Sequence, residues 1–200
     1  MQPRGVAVVY GTAPALTAKL AAGEKADVLI SLAPEIAELA KTGGFAVTQA
    51  PMAGIKLGLA VRSGAAVPHI NMLAAIKTAL LRADTIIHND LAPDLAFARQ
   101  LERIGVTEQV KSKIVLVKGN GQLEELMKRT GNDMAGGQLT KIIAAKSVQS
   151  AGALPREAQS ETIYSAGVFA HSQSPDAATA FVFFLTSPKA IATLSAVGAK

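Results

Sequence analysis

The chain has 200 residues, half of them apolar, enough to bury a core in one large domain or two small lobes. It has no cysteine, which excludes disulfides, thiol nucleophiles and thiolate metal sites. Its net charge of +5 comes from scattered Lys and Arg, and aromatics make up only 4%; this argues against a nucleic-acid surface while suiting an anionic ligand.

Met1–Arg4 leads straight into an apolar run, with no apolar core and small-residue cleavage site of a signal peptide. The apolar runs fall short of a membrane span, so direct membrane insertion is not expected. The absence of cysteine fits cytosol and periplasm alike.

The first complete unit runs from Val6 to Ser31. Val6–Tyr10 is an apolar, β-branched run of strand length, broken by Gly11-Thr12. Leu16 and Leu20 share a helix face, Gly23 stops the helix, and Val28–Ile30 is a second strand. A strand, helix and strand in this order predict a βαβ unit with parallel strands. Leu32, Ile36 and Leu39 mark a helix ending at Gly43-Gly44, and Ile55–Arg62 a strand. Leu73, Ile76 and Leu80 mark the next helix, followed by a strand at Thr85–His88. A helix is expected over Leu95–Ile104 with Gly105 as its C-cap. A strand at Lys113–Val117, the turn Gly119-Asn120-Gly121 and a helix at Leu123–Lys128 come next.

Met134–Leu139 reads as a strand, Thr140–Ala145 as a short helix, and Val148–Leu154 and Thr162–Ala170 as strands. Ser174-Pro175-Asp176 supplies an N-cap, a first-turn proline and a first-turn acid, and Ser187-Pro188 repeats the device. Phe181, Phe184 and Leu185 share a face expected in the core. Strands alternating with helices throughout predict an α/β fold of mostly parallel sheets flanked by helices.

Chemistry should collect where strands turn into helices, because free amides and the positive helix end meet there. The turns in question are Gly11-Thr12-Ala13, Ser31-Leu32-Ala33, Asn89-Asp90 and Gly119-Asn120-Gly121. Taken singly, each is also what any plain connection uses. The spacing of a P-loop, a dinucleotide fingerprint and a nucleophile elbow are all missing. His69, His88 and His171 stand in no metal-ligand spacing, so neither a metal site nor a cofactor is expected, and no motif supports an enzyme. Tyr164 lies in an otherwise apolar strand, where its hydroxyl needs either a backbone partner or a ligand.

Taken together, ADVLIS, LGLAVRSGAAVPHI, TIIHND, LERIGV, KIVLVKG, TIYSAGVFA and SPDAATAFVFFLTSPKA resemble, in order, the molybdate-type periplasmic solute-binding proteins of ABC importers. The resemblance implies a type II periplasmic-binding-protein fold with two lobes. Lobe one would comprise residues 1–88 and 167–200, and lobe two residues 89–166, with hinges near 88–90 and 165–167. It implies a periplasmic protein that is not an enzyme, holds a molybdate-like oxyanion in the interlobe cleft through neutral donors, and hands it to an ABC permease. Carried over by position, the ligand-binding residues would be Gly11, Thr12, Ala13, Ser31, Asn89, Asp90, Gly136, Gly137 and Tyr164. Relative to the family pattern, the first strand and helix have no counterpart, and HNDLAPDLAFAR replaces the usual lobe-two loop near Ala92-Pro93. Lobe one would therefore lack a strand, and its exposed edge would favour homo-oligomers. A cytosolic sensor of the same fold, or a shortened relative without a ligand, are the alternatives.

Overall fold

A computed structural model describes residues 5–90 and 95–199, without the side chains of residues 48–50, 95 and 96. In chain order the elements are α1 (Ala13–Ala21), β1 (Val28–Leu32), α2 (Ala33–Lys41), β2 (Phe45–Arg62), α3 (Leu73–Arg82), β3 (Ile86–Asn89), α4 (Leu95–Ile104) and α5 (Thr107–Val110). They continue with β4 (Ile114–Val117), α6 (Gln122–Met127), β5 (Met134–Gln138), α7 (Leu139–Ala144), β6 (Val148–Ala153), β7 (Glu161–Phe169), α8 (Pro175–Leu185) and α9 (Pro188–Ala196). The chain forms two compact units, residues 1–52 with 164–187 and residues 53–163 with 188–200. It passes between them inside β2, inside β7 and between α8 and α9.

The boundaries differ from the expected hinges. The return near residue 164 lies close to the expected 165–167, but the first crossing lies at Met52–Ala53 rather than at 88–90. The reason is the burial of β3. Its residues are all buried, with β4 on one side and β5 on the other, so residues 86–89 sit in the middle of the second unit. Residues 188–200 also belong to that unit.

In the first unit β1 pairs with β7 antiparallel, Val28 opposite Val168 and Leu32 opposite Tyr164. Side chains alternate between the two sheet faces. Val28, Ala166 and Val168 share one face and pack with Ala178 and Val182 of α8. The other face carries Ser31 and Ser165, and a Cβ on Gly167 would come within 2.7 Å of the Phe45 ring. The buried residues of α8 are Ala178 and Val182, with Leu185 of the expected face packed against the same cluster; Phe181 is half-buried and Phe184, expected in the core, is 49% exposed.

Val6–Tyr10 forms no strand. The segment joins no ladder, and Val6, Val8, Val9 and Tyr10 are exposed. The expected βαβ unit over 6–31 therefore does not form, and the neighbour that β1 finds is antiparallel β7. A strand needs a hydrogen-bonding partner as well as β-branched residues. None of the residues of α1 is fully buried, and Ala13, Leu16 and Leu20 are half-buried.

In the second unit the strand order is β2-β5-β3-β4, with β6 also on β2. Among the described residues parallel pairing joins β3 to β4 and β5, while β2 runs antiparallel to β5 and β6, so the pairing is mixed rather than mostly parallel as expected. Leu57, Leu59 and Val61 point to one face and join Ile76, Leu80, Ile86 and Phe97; Ala60 points to the other and joins Ile87, Leu126 and Ile142. A helix layer thus covers each face. Gln159 braces the end of the sheet, accepting from the Leu57 amide at 2.8 Å and donating to the carbonyls of Leu57 and Leu154, each at 3.0 Å. Gly105, the expected C-cap, has φ +72°. Among the described residues, no single helix is long and apolar enough to cross a membrane.

Candidate functional site

Thr12 is the N-cap residue of α1 by position, but its side chain makes no capping bond. The Thr12 hydroxyl is therefore left at the start of a nine-residue helix whose opening amides are those of Ala13 and Ala15, Pro14 having none. Such a helix start favours an anion through its unpaired N–H groups and its dipole.

At the end of β1, Ser31 is buried and donates its hydroxyl proton to Glu35 Oε2 in the first turn of α2. The residue directly across the ladder is Ser165, fully buried, whose hydroxyl has no partner. Tyr164 is half-buried and opposite Leu32, which places it on the α8 face of the sheet. Ser31 and Tyr164 are thus at the same end of the first unit but on opposite faces. The sequence reading missed Ser165 and Glu35. A serine inside the apolar run of β7, in register with Ser31, was the available signal, but register is not visible before pairing is known.

In the second unit Asn89 is fully buried and donates to Gln122 Oε1 at 3.3 Å. Asp90 accepts from the Gly119 amide at 3.0 Å, and its own amide donates to the Val117 carbonyl at 3.1 Å. The Gly119-Asn120-Gly121 turn is thus held by a carboxylate of its own chain, and Lys141 donates to Asn120 Oδ1 at 2.7 Å. His88 is buried; its Nδ1 donates to the Asn89 carbonyl at 3.1 Å and its ring lies 5.9 Å from that of Phe97. It behaves as a satisfied core histidine.

Gly136 and Gly137 lie within β5, opposite Leu59 and Gly58. Gly136 is needed for closeness, because a Cβ there would lie 2.4 Å from the Phe97 ring. Ala92-Pro93 lies outside the described residues. Two open hollows of about 380 and 390 Å³ flank Val67–His69 in this unit, and no expected site residue lines either. Among the described residues no group of His, Cys, Asp and Glu could hold a metal.

One carboxylate organises the end of the first unit instead of a ligand. Asp27 accepts from Ser172 Oγ at 2.6 Å and from the amides of Gln173 and Ser174 at 3.0 and 3.3 Å. The Ser172 hydroxyl, with the two amides behind it, holds the Asp27 carboxyl below its ordinary value. Ser174 stands at the N-cap of α8 as expected, but its side chain makes no capping bond, and Asp27 provides the negative charge ahead of that helix.

A family model of bacterial extracellular solute-binding proteins matches residues 4–200. The chain belongs to that family. An aconitate isomerase from Pseudomonas sp. is 26% identical over 191 residues, covering 94% of this chain and 72% of the relative. The substrate-binding domain of a putative molybdenum ABC transporter from Clostridium difficile superposes with a TM-score of 0.81 at 17% identity, covering 97% of this chain and 85% of that one. The periplasmic molybdate-binding protein of Azotobacter vinelandii gives 0.72 at 19% identity, covering 100% and 88%. The fold is that of the type II periplasmic-binding proteins, a mixed α/β sheet flanked by helices.

Proposed function

We propose that this solute-binding protein serves an ABC importer and captures a small oxyanion, the class to which molybdate and tungstate belong. The observation that carries the reading is the uncapped start of α1, where the Thr12 hydroxyl and the first helix amides are left for an outside acceptor. Ser165 and Tyr164 add hydroxyl donors where β1 finishes, beside Ser31, whose own proton goes to Glu35. These donors are neutral, as suits a ligand that must be released: several convergent dipoles hold a desolvated anion without a fixed counter-charge. The two compact units are proposed as the two lobes, the permease as the protein partner, and the periplasm as the place of work, on the strength of the family and of the similarity to the Azotobacter protein.

The test is thermal unfolding against molybdate, tungstate, sulfate, phosphate and simple carboxylates. A ligand that binds only the folded state stabilises it by about 2.7 kcal/mol at a hundredfold excess over Kd. A saturable rise in Tm with an anion supports the reading. No shift with any of them overturns it.

The Pseudomonas relative favours a second reading, in which the ligand is a small tricarboxylate that the protein isomerises. Incubation with cis- or trans-aconitate followed by proton NMR decides it: conversion above the protein-free rate supports isomerisation, and its absence with binding retained leaves a carboxylate binder.

A further inference from the structure

Two hydroxyls share the α2 face of the first unit. Ser31 and Ser165 are direct cross-strand partners, so their side chains project from the same face, with Cβ atoms about 4.5–5.5 Å apart. That face lies under the start of α2, because Ser31 reaches Glu35 in its first turn. Helix α2 has nine residues and no side-chain cap. Ser165, fully buried and without a hydrogen-bond partner, is directed to the same place. A buried hydroxyl left unpaired is costly, and a ligand oxygen would relieve it.

The donor and acceptor count at this place is unequal. The proton of Ser31 is already given to Glu35, so Ser31 offers only lone pairs. Glu35, an acceptor when ionised, offers more. Of these three side chains, Ser165 alone has a proton to give. A fully ionised oxyanion such as sulfate or molybdate has no proton to share, and would meet lone pairs and a negative carboxylate. An anion that carries its own O–H satisfies both sides, donating to Glu35 or Ser31 and accepting from Ser165.

We propose that Ser31, Glu35 and Ser165 form a specificity subsite that selects anions bearing a hydroxyl, either a protonated oxyanion or a hydroxy acid, over fully ionised ones. The inference rests on the anion-binding reading above and narrows it. Glu35 is the discriminating residue, and Ser165 is the donor that any accepted anion uses.

The experiment is titration calorimetry of the full chain with inorganic phosphate, sulfate, molybdate, malate and succinate. Phosphate retains a proton at neutral pH, whereas sulfate and molybdate have none; malate has a hydroxyl that succinate lacks. Expected is a preference of about tenfold or more for phosphate over sulfate, for malate over succinate, or for both, the pair that responds naming the source of the hydroxyl. Glu35→Gln should erase most of that preference by strengthening sulfate or succinate, and Ser165→Ala should weaken every bound anion by about tenfold. Circular dichroism and Tm of both variants establish that they fold. Neither preference appearing, or a preference that survives Glu35→Gln, defeats the subsite and leaves the anion-binding reading standing. Ser165→Ala binding like the parent removes Ser165 from it. No binding by any of the five anions defeats the parent reading and the subsite with it.

Discussion

Gly136, expected as a ligand-binding residue, lies against the core, and Gly136→Ala tests that contact. The added Cβ would lie 2.4 Å from Phe97 Cε2 and 2.5 Å from both Cδ2 and Cζ. Carbon atoms are comfortable at about 3.5–4.0 Å, so the ring would have to withdraw by roughly 1 Å. It has little room, because Phe97 is fully buried in the cluster with Leu59, Ile86 and Leu101 and has the His88 ring at 5.9 Å. Overpacking of this kind costs about 1–3 kcal/mol. With a urea m-value of about 2 kcal/mol/M, the midpoint should fall by roughly 0.5–1.5 M. Urea unfolding followed by far-UV circular dichroism measures it. The sharper form is a double-mutant cycle: Phe97→Leu alone should also destabilise, but combined with Gly136→Ala it should recover part of the loss, because the smaller side chain yields the space. A midpoint for Gly136→Ala within about 0.2 M of the parent, or strict additivity in the cycle, would refute the steric argument.

Tyr164→Phe should weaken the bound anion by about tenfold or more while leaving Tm without ligand nearly unchanged, since the hydroxyl is assigned to the ligand rather than to the fold; calorimetry reads it, and equal affinity removes Tyr164 from the site. Asp27 has a folded-state pKa below its unfolded value, so its stabilising contribution is full above the ordinary carboxylate value and is lost as pH falls through the lower folded value. Tm measured from neutral pH down into the acid range should therefore fall less steeply for Asp27→Asn, and a parallel profile would show that the Ser172 contact carries no linkage. Val8→Ser with Val9→Ser should shift stability by less than about 0.5 kcal/mol, because both side chains are exposed and outside any ladder. A loss of several kcal/mol would mean that the 6–10 segment pairs in solution. Gln159→Ala removes the acceptor of the Leu57 amide and should cost about 1–3 kcal/mol by chemical denaturation.

The second unit was legible in the sequence because its signals are local and mutually consistent. Ile86–Asn89, Ile114–Val117 and Val148–Ala153 are short apolar runs between good turn residues, and each lies within a residue or so of where its pattern placed it. Gly105 closes a helix as a left-handed glycine should. The first unit was misread where the outcome depends on a partner. Val6–Tyr10 has the composition of a strand, but no neighbour donates to it, and composition cannot supply a ladder. The length of β2 was likewise hidden, since residues 45–54 include Pro51 and Gly54 and read as a break.

The candidate site divides along the same line. Thr12 and Ser31 could be picked out because helix starts announce themselves locally, whereas Ser165 could not, because its meaning comes from standing opposite Ser31, a residue far away in sequence. The two-residue period then has a chemical consequence. Tyr164 and Ser165 are neighbours in sequence, yet one faces α8 and the other α2. A ligand beyond the end of β1 would thus be addressed from two faces by one dipeptide. The α8 face offers a phenol, and the α2 face offers a hydroxyl beside Glu35. Removing the charge of Glu35 should therefore alter which anion is preferred, while removing the hydroxyl of Tyr164 should alter how tightly any anion is held; a variant pair with the two effects exchanged would show that the faces have been assigned the wrong way round.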